Sequence, residues 1–167
     1  VSTDYVFAGN GTKPYTEWDI INPQSVYGAS KALGEKYALA FNDKTFIVRT
    51  SWLYGYIGKN FVKTVRRVIR ERGSITVVND QRGNPTNAND LAYHLLLLGI
   101  TEEYGIYHCT GEGECSWYEF ACEIARLSGF GDVVKPCTSY EYKSPTKIPE
   151  YSSLLNLGLK CSVGNFM

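Results

Sequence analysis

Hydrophobic and polar positions follow two periods along the chain, one typical of strands and one typical of helices. Residues 1–7 and 45–53 are short runs rich in β-branched and aromatic residues, which predicts buried strands. Between them, a stretch rich in glycine, asparagine and proline at 8–25 predicts a loop, and a helix is predicted at about 26–41. Apolar residues at helical spacing predict a second helix at 60–72.

The second half of the chain continues this alternation. Short strands are predicted at 74–79 and 106–110, and helices at 89–100 and after the capping-box sequence Ser-Trp-Tyr-Glu at 116–119. Beyond Pro136 the pattern weakens, and irregular backbone is predicted. Strands that alternate with helices indicate βαβ units, so the predicted fold class is α/β with a mainly parallel sheet.

Charge and hydropathy exclude two classes of partner. The 167 residues contain 17 Lys and Arg and 17 Asp and Glu, so the balance gives no reason to expect nucleic acid or an anionic membrane surface. No apolar run approaches the roughly 18 residues that a membrane span needs. We therefore expect no nucleic acid and no membrane partner.

The cysteines indicate the redox environment. Their number, five, is odd and no two of them form a C-x-x-C pair, so neither a disulfide framework nor a metal site is predicted. Free thiols in a reducing cytoplasm are the expected state.

Candidate chemistry centres on Tyr27 and Lys31, which stand four residues apart in the first predicted helix. Residues at this spacing share one face of a helix, and a neighbouring ammonium group favours the phenolate form that exchanges protons near neutral pH. Thr3, at the end of a strand-like run, offers a hydroxyl that can hold a substrate carbonyl. On spacing alone, an exposed pair on an amphipathic helix is the favoured interpretation.

Three further blocks give the pair a context. They read Ser-Thr-Asp-Tyr-Val-Phe at 2–7, Arg-Thr-Ser-Trp-Leu-Tyr-Gly at 49–55 and Val-Asn-Asp-Gln-Arg-Gly-Asn-Pro-Thr at 78–86. With Tyr27 and Lys31, their order and spacing resemble the extended short-chain dehydrogenase/reductase family, and the resemblance extends to about residue 159. It implies the C-terminal part of a Rossmann-like parallel sheet plus a small substrate-binding α/β subdomain, with parts at 1–86 and 87–167.

The resemblance also implies an activity, the reduction of a 4-keto nucleotide sugar by hydride transfer from NADPH or NADH. In that reaction Tyr27 donates a proton, Lys31 binds the nicotinamide ribose and Thr3 holds the carbonyl. Tyr27, Lys31, Thr50 and Ser51 are expected beside the cofactor. Expected on the substrate side are Thr3, Asp4, Tyr5, Trp52, Asn60 and Gln81. Packing in the core is the alternative for Trp52, and simple helix capping is the favoured role for Asn60.

Tyr5 separates this chain from related enzymes. Dehydratases of the family carry Thr-Asp-Glu here and use the carboxylates to eliminate water, a task that Tyr5 cannot perform. Epimerases carry a serine-rich run instead, so reduction is favoured. Another reductase or epimerase of the family, and a non-catalytic regulatory subunit, remain open alternatives.

A glycine-rich turn for the cofactor pyrophosphate is not found in this sequence. The resemblance therefore implies a preceding cofactor-binding half of about 100 residues, or three βα units. We expect no cofactor bound to the chain alone, no activity from it, and a homodimer through the edge strand at 1–7.

One departure concerns the substrate end. Family members usually carry Arg-Pro followed by Ser-x-Leu-Asp/Asn, but Ile148 precedes Pro149 here and Leu155 replaces the acidic or amide residue. Arginine suits bidentate phosphate binding, and Lys147 can replace it only as a point charge. An altered affinity for the nucleotide sugar is expected.

Overall fold

The structure is a computed structural model that describes residues 1–142 and 148–164. Its helices are α1 (Val26–Phe41), α2 (Phe61–Arg72), α3 (Ala88–Gly99), α4 (Trp117–Leu127), α5 (Ser139–Tyr142) and α6 (Leu157–Ser162). Its strands are β1 (Ser2–Thr3), β2 (Phe46–Thr50), β3 (Leu53–Tyr54), β4 (Ile75–Val78), β5 (Arg82–Gly83), β6 (Thr86–Asn87), β7 (Gly105–His108), β8 (Cys115–Ser116) and β9 (Val134–Cys137). A 3-10 turn, Asp4–Val6, follows β1.

Most strands are parallel, as predicted. The central sheet has three parallel strands in the order β1, β2, β7, with Thr3 paired to Thr50. Two more parallel pairs join β3 to β6 and β4 to β9, whereas β5 and β8 are antiparallel. The α/β class is confirmed. No helix within the described residues has the length and apolar character that a membrane crossing requires.

The first strand is shorter than predicted, and the prediction is wrong beyond Thr3. There the chain turns into the 3-10 segment, because the Thr3 side chain accepts a hydrogen bond from the backbone N–H of Tyr5. Such a local bond competes with the ladder of a sheet. The break leaves Thr3 at the carboxyl end of β1.

The second predicted strand, 45–53, is also interrupted. Trp52 has a φ of 47°, which is left-handed and rare for a bulky aromatic residue. β2 therefore ends at Thr50, and Leu53 begins the separate strand β3. The consequence is that Thr50 ends its strand beside Thr3, at the same edge of the sheet.

The C-terminal part is more regular than predicted. Pro136 lies within β9. Among the described residues this strand pairs only with β4, so it presents an edge that tolerates a residue without an N–H. Two short helices, α5 and α6, also follow. The rest of this prediction, at 143–147, lies outside the described residues.

Strands of the first predicted part, 1–86, pair with strands of the second, 87–167. β7 pairs with β2, and β9 pairs with β4, so each pairing crosses the boundary predicted at residue 86. One hydrophobic cluster packs α3 and α6 against the central sheet, and another packs α2 and α4 against β4 and β9. A division at 86 stays a prediction.

A buried ion pair holds α1 against the central sheet. The guanidinium of Arg49 on β2 contacts the carboxylate of Glu35 on α1 at 2.7 Å, with side-chain exposures of 3% and 5%. Ser2 of β1 donates its hydroxyl hydrogen to the same carboxylate. The pair thus joins the three elements that carry Thr3, Tyr27 and Thr50.

Gly28 sets how closely α1 approaches the 3-10 turn. A Cβ added there would lie 2.1 Å from the carbonyl oxygen of Tyr5, whereas at Gly34, in the same helix, it would meet nothing within 4 Å. We expect Gly28→Ala to lower the free energy of unfolding by about 1–3 kcal/mol. Gly34→Ala should raise it by up to about 1 kcal/mol, because alanine favours helix. Urea unfolding of both variants tests this, and equal effects would contradict it.

Candidate active site

A cleft of about 490 Å³ opens at the carboxyl ends of β1 and β2. Open α/β sheets place their ligands at this edge. Its lining includes Thr3, Asp4, Tyr5, Tyr27, Lys31, Thr50, Ser51, Trp52 and Trp117. The structure therefore brings together most of the residues that the sequence proposed for the site.

Thr3 and Asp4 form a hydrogen-bonded pair at the buried side of the cleft. Thr3 Oγ1 lies 3.0 Å from Asp4 Oδ1, and it accepts the N–H of Tyr5 at 3.2 Å. Burial raises the pKa of Asp4 to about 6, and the hydroxyls of Ser152 and Thr3 limit that rise. A fraction of the Asp4 carboxyl groups is therefore protonated near neutral pH.

Tyr5 and Tyr27 contact each other edge to face, with ring centroids 5.8 Å apart and planes at 77°. Burial, with the negative charges of Asp4 and Tyr27 as smaller causes, raises the pKa of Tyr5 to about 12. Tyr5 therefore keeps its proton and can only act as a hydrogen-bonding phenol.

Tyr27 and Lys31 enter the cleft from the first two turns of α1. Ser25 caps this helix by accepting the N–H of Gly28 at 3.1 Å. The Tyr27 side chain is 54% exposed, so a ligand can reach its hydroxyl. Lys31 Nζ donates to the carbonyl oxygen of Val1 at 2.7 Å, which holds the ammonium beside β1.

Thr50 and Ser51 are buried at the end of β2. Ser51 donates its hydroxyl hydrogen to the carbonyl oxygen of Asn84 at 2.7 Å, so its role here is to fix the neighbouring loop. Thr50 Oγ1 has no hydrogen-bond partner within residues 1–142 and 148–164. A buried hydroxyl left in this state favours a ligand that supplies the missing partner.

Two tryptophans form one apolar wall of the cleft. Trp52 stacks on Trp117 of α4, with ring centroids 3.6 Å apart and an angle of 11°. Gly83 makes room for this stack, since a Cβ there would lie 2.6 Å from Trp52 Cε2. Sequence reasoning missed Trp117, because a contact between a strand end and a distant helix leaves no local pattern.

A second cleft of about 270 Å³ adjoins the first and shares Tyr5 and Trp117 with it. Gln81 and Ile148 line it, together with apolar residues of β4. Gln81 Nε2 donates to the Ser139 hydroxyl at 2.9 Å, while its Oε1 is buried without a partner among the described residues. The second cleft thus offers an apolar wall and one free amide oxygen.

Two described residues singled out from the sequence, Asn60 and Leu155, are not brought to these clefts. Asn60 caps α2 through the N–H of Lys63 and donates to the carbonyl of Gly55, which uses both ends of its amide. Leu155 lines neither cleft. Lys147 lies outside the described residues.

Neither a metal-ligand cluster nor a disulfide is present in the part of the chain that the structure describes. No group of three or more His, Cys, Asp or Glu side chains there could hold a metal ion. All five cysteines are free.

The family described as the RmlD substrate binding domain matches residues 1–165. A dTDP-4-dehydrorhamnose reductase of Aggregatibacter actinomycetemcomitans is 49% identical, over 92% of this chain and 56% of its own length. The spore coat polysaccharide biosynthesis protein SpsK of Bacillus subtilis is 44% identical, over 92% and 54%. A probable dTDP-4,6-dihydroxy-2-methyloxan-3-one 4-ketoreductase of Streptomyces antibioticus is 39% identical, over 92% and 53%.

Solved structures agree with the sequence relatives. The dTDP-4-dehydrorhamnose reductase of Bacillus anthracis in complex with NADP has a TM-score of 0.95 and 42% identity, covering 99% of this chain and 59% of that one. A dTDP-4-dehydrorhamnose reductase of Clostridium acetobutylicum, described as an RfbD ortholog, has a TM-score of 0.94 and 48% identity, covering 98% of this chain and 58% of that one. The chain spans about half the length of the curated relatives that it matches.

Proposed function

The chain belongs to the family of the RmlD substrate binding domain, and from this membership we propose that it supplies the sugar-binding and proton-donating side of a dTDP-4-dehydrorhamnose reductase. The reaction is the reduction of dTDP-4-dehydro-L-rhamnose to dTDP-L-rhamnose, a step towards cell-wall polysaccharide. The observation that carries the proposal is the one cleft that holds Thr3, Tyr27 and Lys31 together.

These residues divide the work on the keto group. As hydride reaches the keto carbon, negative charge develops on its oxygen. Tyr27 donates a proton to that oxygen, and the Thr3 hydroxyl donates a hydrogen bond to it. The ammonium of Lys31, in the same cleft, then stabilises the negative charge left on the Tyr27 oxygen.

The hydride comes from NADPH when that cofactor is bound. The residues present fit the cofactor at one point, since the buried Thr50 hydroxyl lacks a partner among the described residues. We propose that Thr50 and Ser51 border the nicotinamide and that Lys31 holds its ribose. A cofactor-binding part from outside the matched region would complete the active site.

The substrate side is built around the aromatic wall. We propose that Trp52, backed by Trp117, packs against the deoxysugar, while Asp4 and Tyr5 border its ring. The nucleotide then extends towards the second cleft, where Gln81 Oε1 accepts a hydrogen bond from it. A contact of Asn60 with substrate stays a prediction, because its amide already caps α2.

The proposal also covers the cell compartment, the oligomeric state and a second candidate substrate. A dTDP-sugar substrate and free thiols fit the cytoplasm. β1 is an edge of the described sheet, which fits a homodimer formed by strand pairing. The Streptomyces antibioticus 4-ketoreductase supports a second candidate, the reduction of another 4-keto dTDP-sugar.

Binding of dTDP-L-rhamnose to the chain tests the substrate side, by calorimetry or NMR titration. We expect Trp52→Ala to raise Kd about fivefold or more, because it removes the aromatic wall. Trp18→Ala is the matched control, since Trp18 is 74% exposed and lines neither cleft. Equal effects of both variants, or no binding by the unmodified chain, would contradict the proposal.

A further inference from the structure

The Thr3 hydroxyl has too few hydrogen-bonding positions for all its neighbours. A hydroxyl offers one hydrogen and two lone pairs. One lone pair accepts the N–H of Tyr5 at 3.2 Å, and Asp4 Oδ1 lies 3.0 Å away. An ionised carboxylate can only accept, so the single hydrogen of Thr3 then points to Asp4 and not to the substrate.

Protonation of Asp4 at Oδ1 reverses this bond. A carboxyl O–H can donate to the second lone pair of Thr3, and the same 3.0 Å contact is kept. The Thr3 hydrogen is then released towards the cleft, which Thr3 and Asp4 both line. The direction of one buried hydrogen bond thus decides what Thr3 presents to a ligand.

We propose that Asp4 is a positioning residue that holds a proton while the ketone is bound and thereby makes Thr3 a hydrogen-bond donor to the substrate carbonyl. The inference rests on the proposed function and adds a second proton to the site. This proton is not consumed, because Tyr27 supplies the one that the alkoxide receives. Asp4 itself needs no contact with the keto carbon.

The surroundings of Asp4 suit this role. It is 3% exposed, and burial disfavours its charged form. The neighbouring groups are the hydroxyls of Thr3 and Ser152 and the neutral phenol of Tyr5, with Tyr27 and Lys31 in the same cleft. The ammonium of Lys31 is held by the Val1 carbonyl. The buried Arg49 is paired with Glu35.

The affinity for the ketone should fall as the pH rises and Asp4 ionises, whereas the affinity for the alcohol should change less. A ketone only accepts hydrogen bonds, so it needs the protonated state of Asp4. An alcohol can also donate to the free lone pair of Thr3, so it tolerates the ionised state. Binding of the ketone near neutral pH should therefore draw a proton onto Asp4.

A first measurement needs no ligand. Carbon-13 NMR of the full chain follows the Asp4 carboxyl, with Asp4→Asn to assign the signal. We expect a titration near the pKa of about 6, and a higher value in Thr3→Val, which removes a hydrogen bond to the ionised form. An ordinary aspartate titration, or no change in Thr3→Val, would overturn the proposal.

A second measurement compares dTDP-4-dehydrorhamnose with dTDP-rhamnose by calorimetry of the full chain. The ratio of ketone to alcohol affinity should fall about threefold to tenfold between about pH 5 and pH 7.5, the worth of one hydrogen bond. Asp4→Asn carries a permanent N–H donor, so it should keep the low-pH ratio at both pH values. Ketone binding near neutral pH should also take up a proton, seen as a heat that depends on the buffer.

The outcomes distinguish a failure of the role of Asp4 from a failure of the proposed function. If the alcohol binds but the ratio is the same at both pH values, or if Asp4→Asn shows the same pH dependence, the role of Asp4 is overturned and the proposed function stands. If neither sugar binds at any pH, the proposed function fails and takes this role with it.

Discussion

Tyr27→Phe is expected to lower turnover at least about a hundredfold, the usual contribution of a positioned general acid. The protein for this test is a chimera that joins this chain to the unmatched part of the Aggregatibacter reductase, the part that we propose binds the cofactor. Phenylalanine keeps the ring that contacts Tyr5 and removes the hydroxyl alone. Oxidation of NADPH in the presence of dTDP-4-dehydrorhamnose measures the loss.

Tyr37→Phe is the matched control. Tyr37 lies in the same helix and is 53% exposed, against 54% for Tyr27, but it does not line the cleft. Its replacement should leave turnover within about twofold, in line with a surface substitution. An equal loss in both variants, or full turnover in Tyr27→Phe, would remove Tyr27 from the reaction. The affinity for dTDP-rhamnose should change little in either variant.

Glu35→Gln should lower the free energy of unfolding by about 3–5 kcal/mol, because it leaves the Arg49 guanidinium buried without a countercharge. The two side chains are 3% and 5% exposed, so solvent cannot replace the lost carboxylate. Urea unfolding of the chain measures the effect. Catalytic geometry should suffer as well, since the pair joins α1 to β2.

The chain offers its own control for this prediction. Glu71 pairs with Arg67 on the surface of α2, where the side chains are 51% and 61% exposed. Glu71→Gln should cost less than about 1 kcal/mol, because an exposed pair contributes little. The double variant Glu35→Leu, Arg49→Met should be more stable than Glu35→Gln alone. A small effect of Glu35→Gln would mean that the pair does not hold the helix.

Helices were predictable where their signals are local. α1 begins and ends as the pattern indicated, and Gly73 ends α2 with a φ of 75°. The box of Ser116 and Glu119 caps α4 with both of its hydrogen bonds. These features depend on residues within one turn of each other, so one sequence contains all the information they need.

The parts that were missed depend on contacts between distant segments or on a side-chain hydrogen bond that strand propensity does not record. Strand propensity extended β1 to residue 7, but the bond between Thr3 and the N–H of Tyr5 turns the chain earlier. The stack of Trp52 on Trp117 follows from packing that no spacing encodes. The site residues were identified from sequence motifs. Such motifs specify side chains but not the directions of the hydrogen bonds between them. The coupling of Thr3 to Asp4 therefore required the structure.

The most direct test of the central claim follows a deuterium atom. The chimera is supplied with NADPH deuterated at the transferred position and with dTDP-4-dehydrorhamnose, and the sugar is examined by NMR and mass spectrometry. We predict dTDP-rhamnose with one deuterium at C4, formed by the unmodified chimera and lost with Tyr27→Phe. A chimera that folds and binds NADP but leaves the sugar without deuterium would contradict the account.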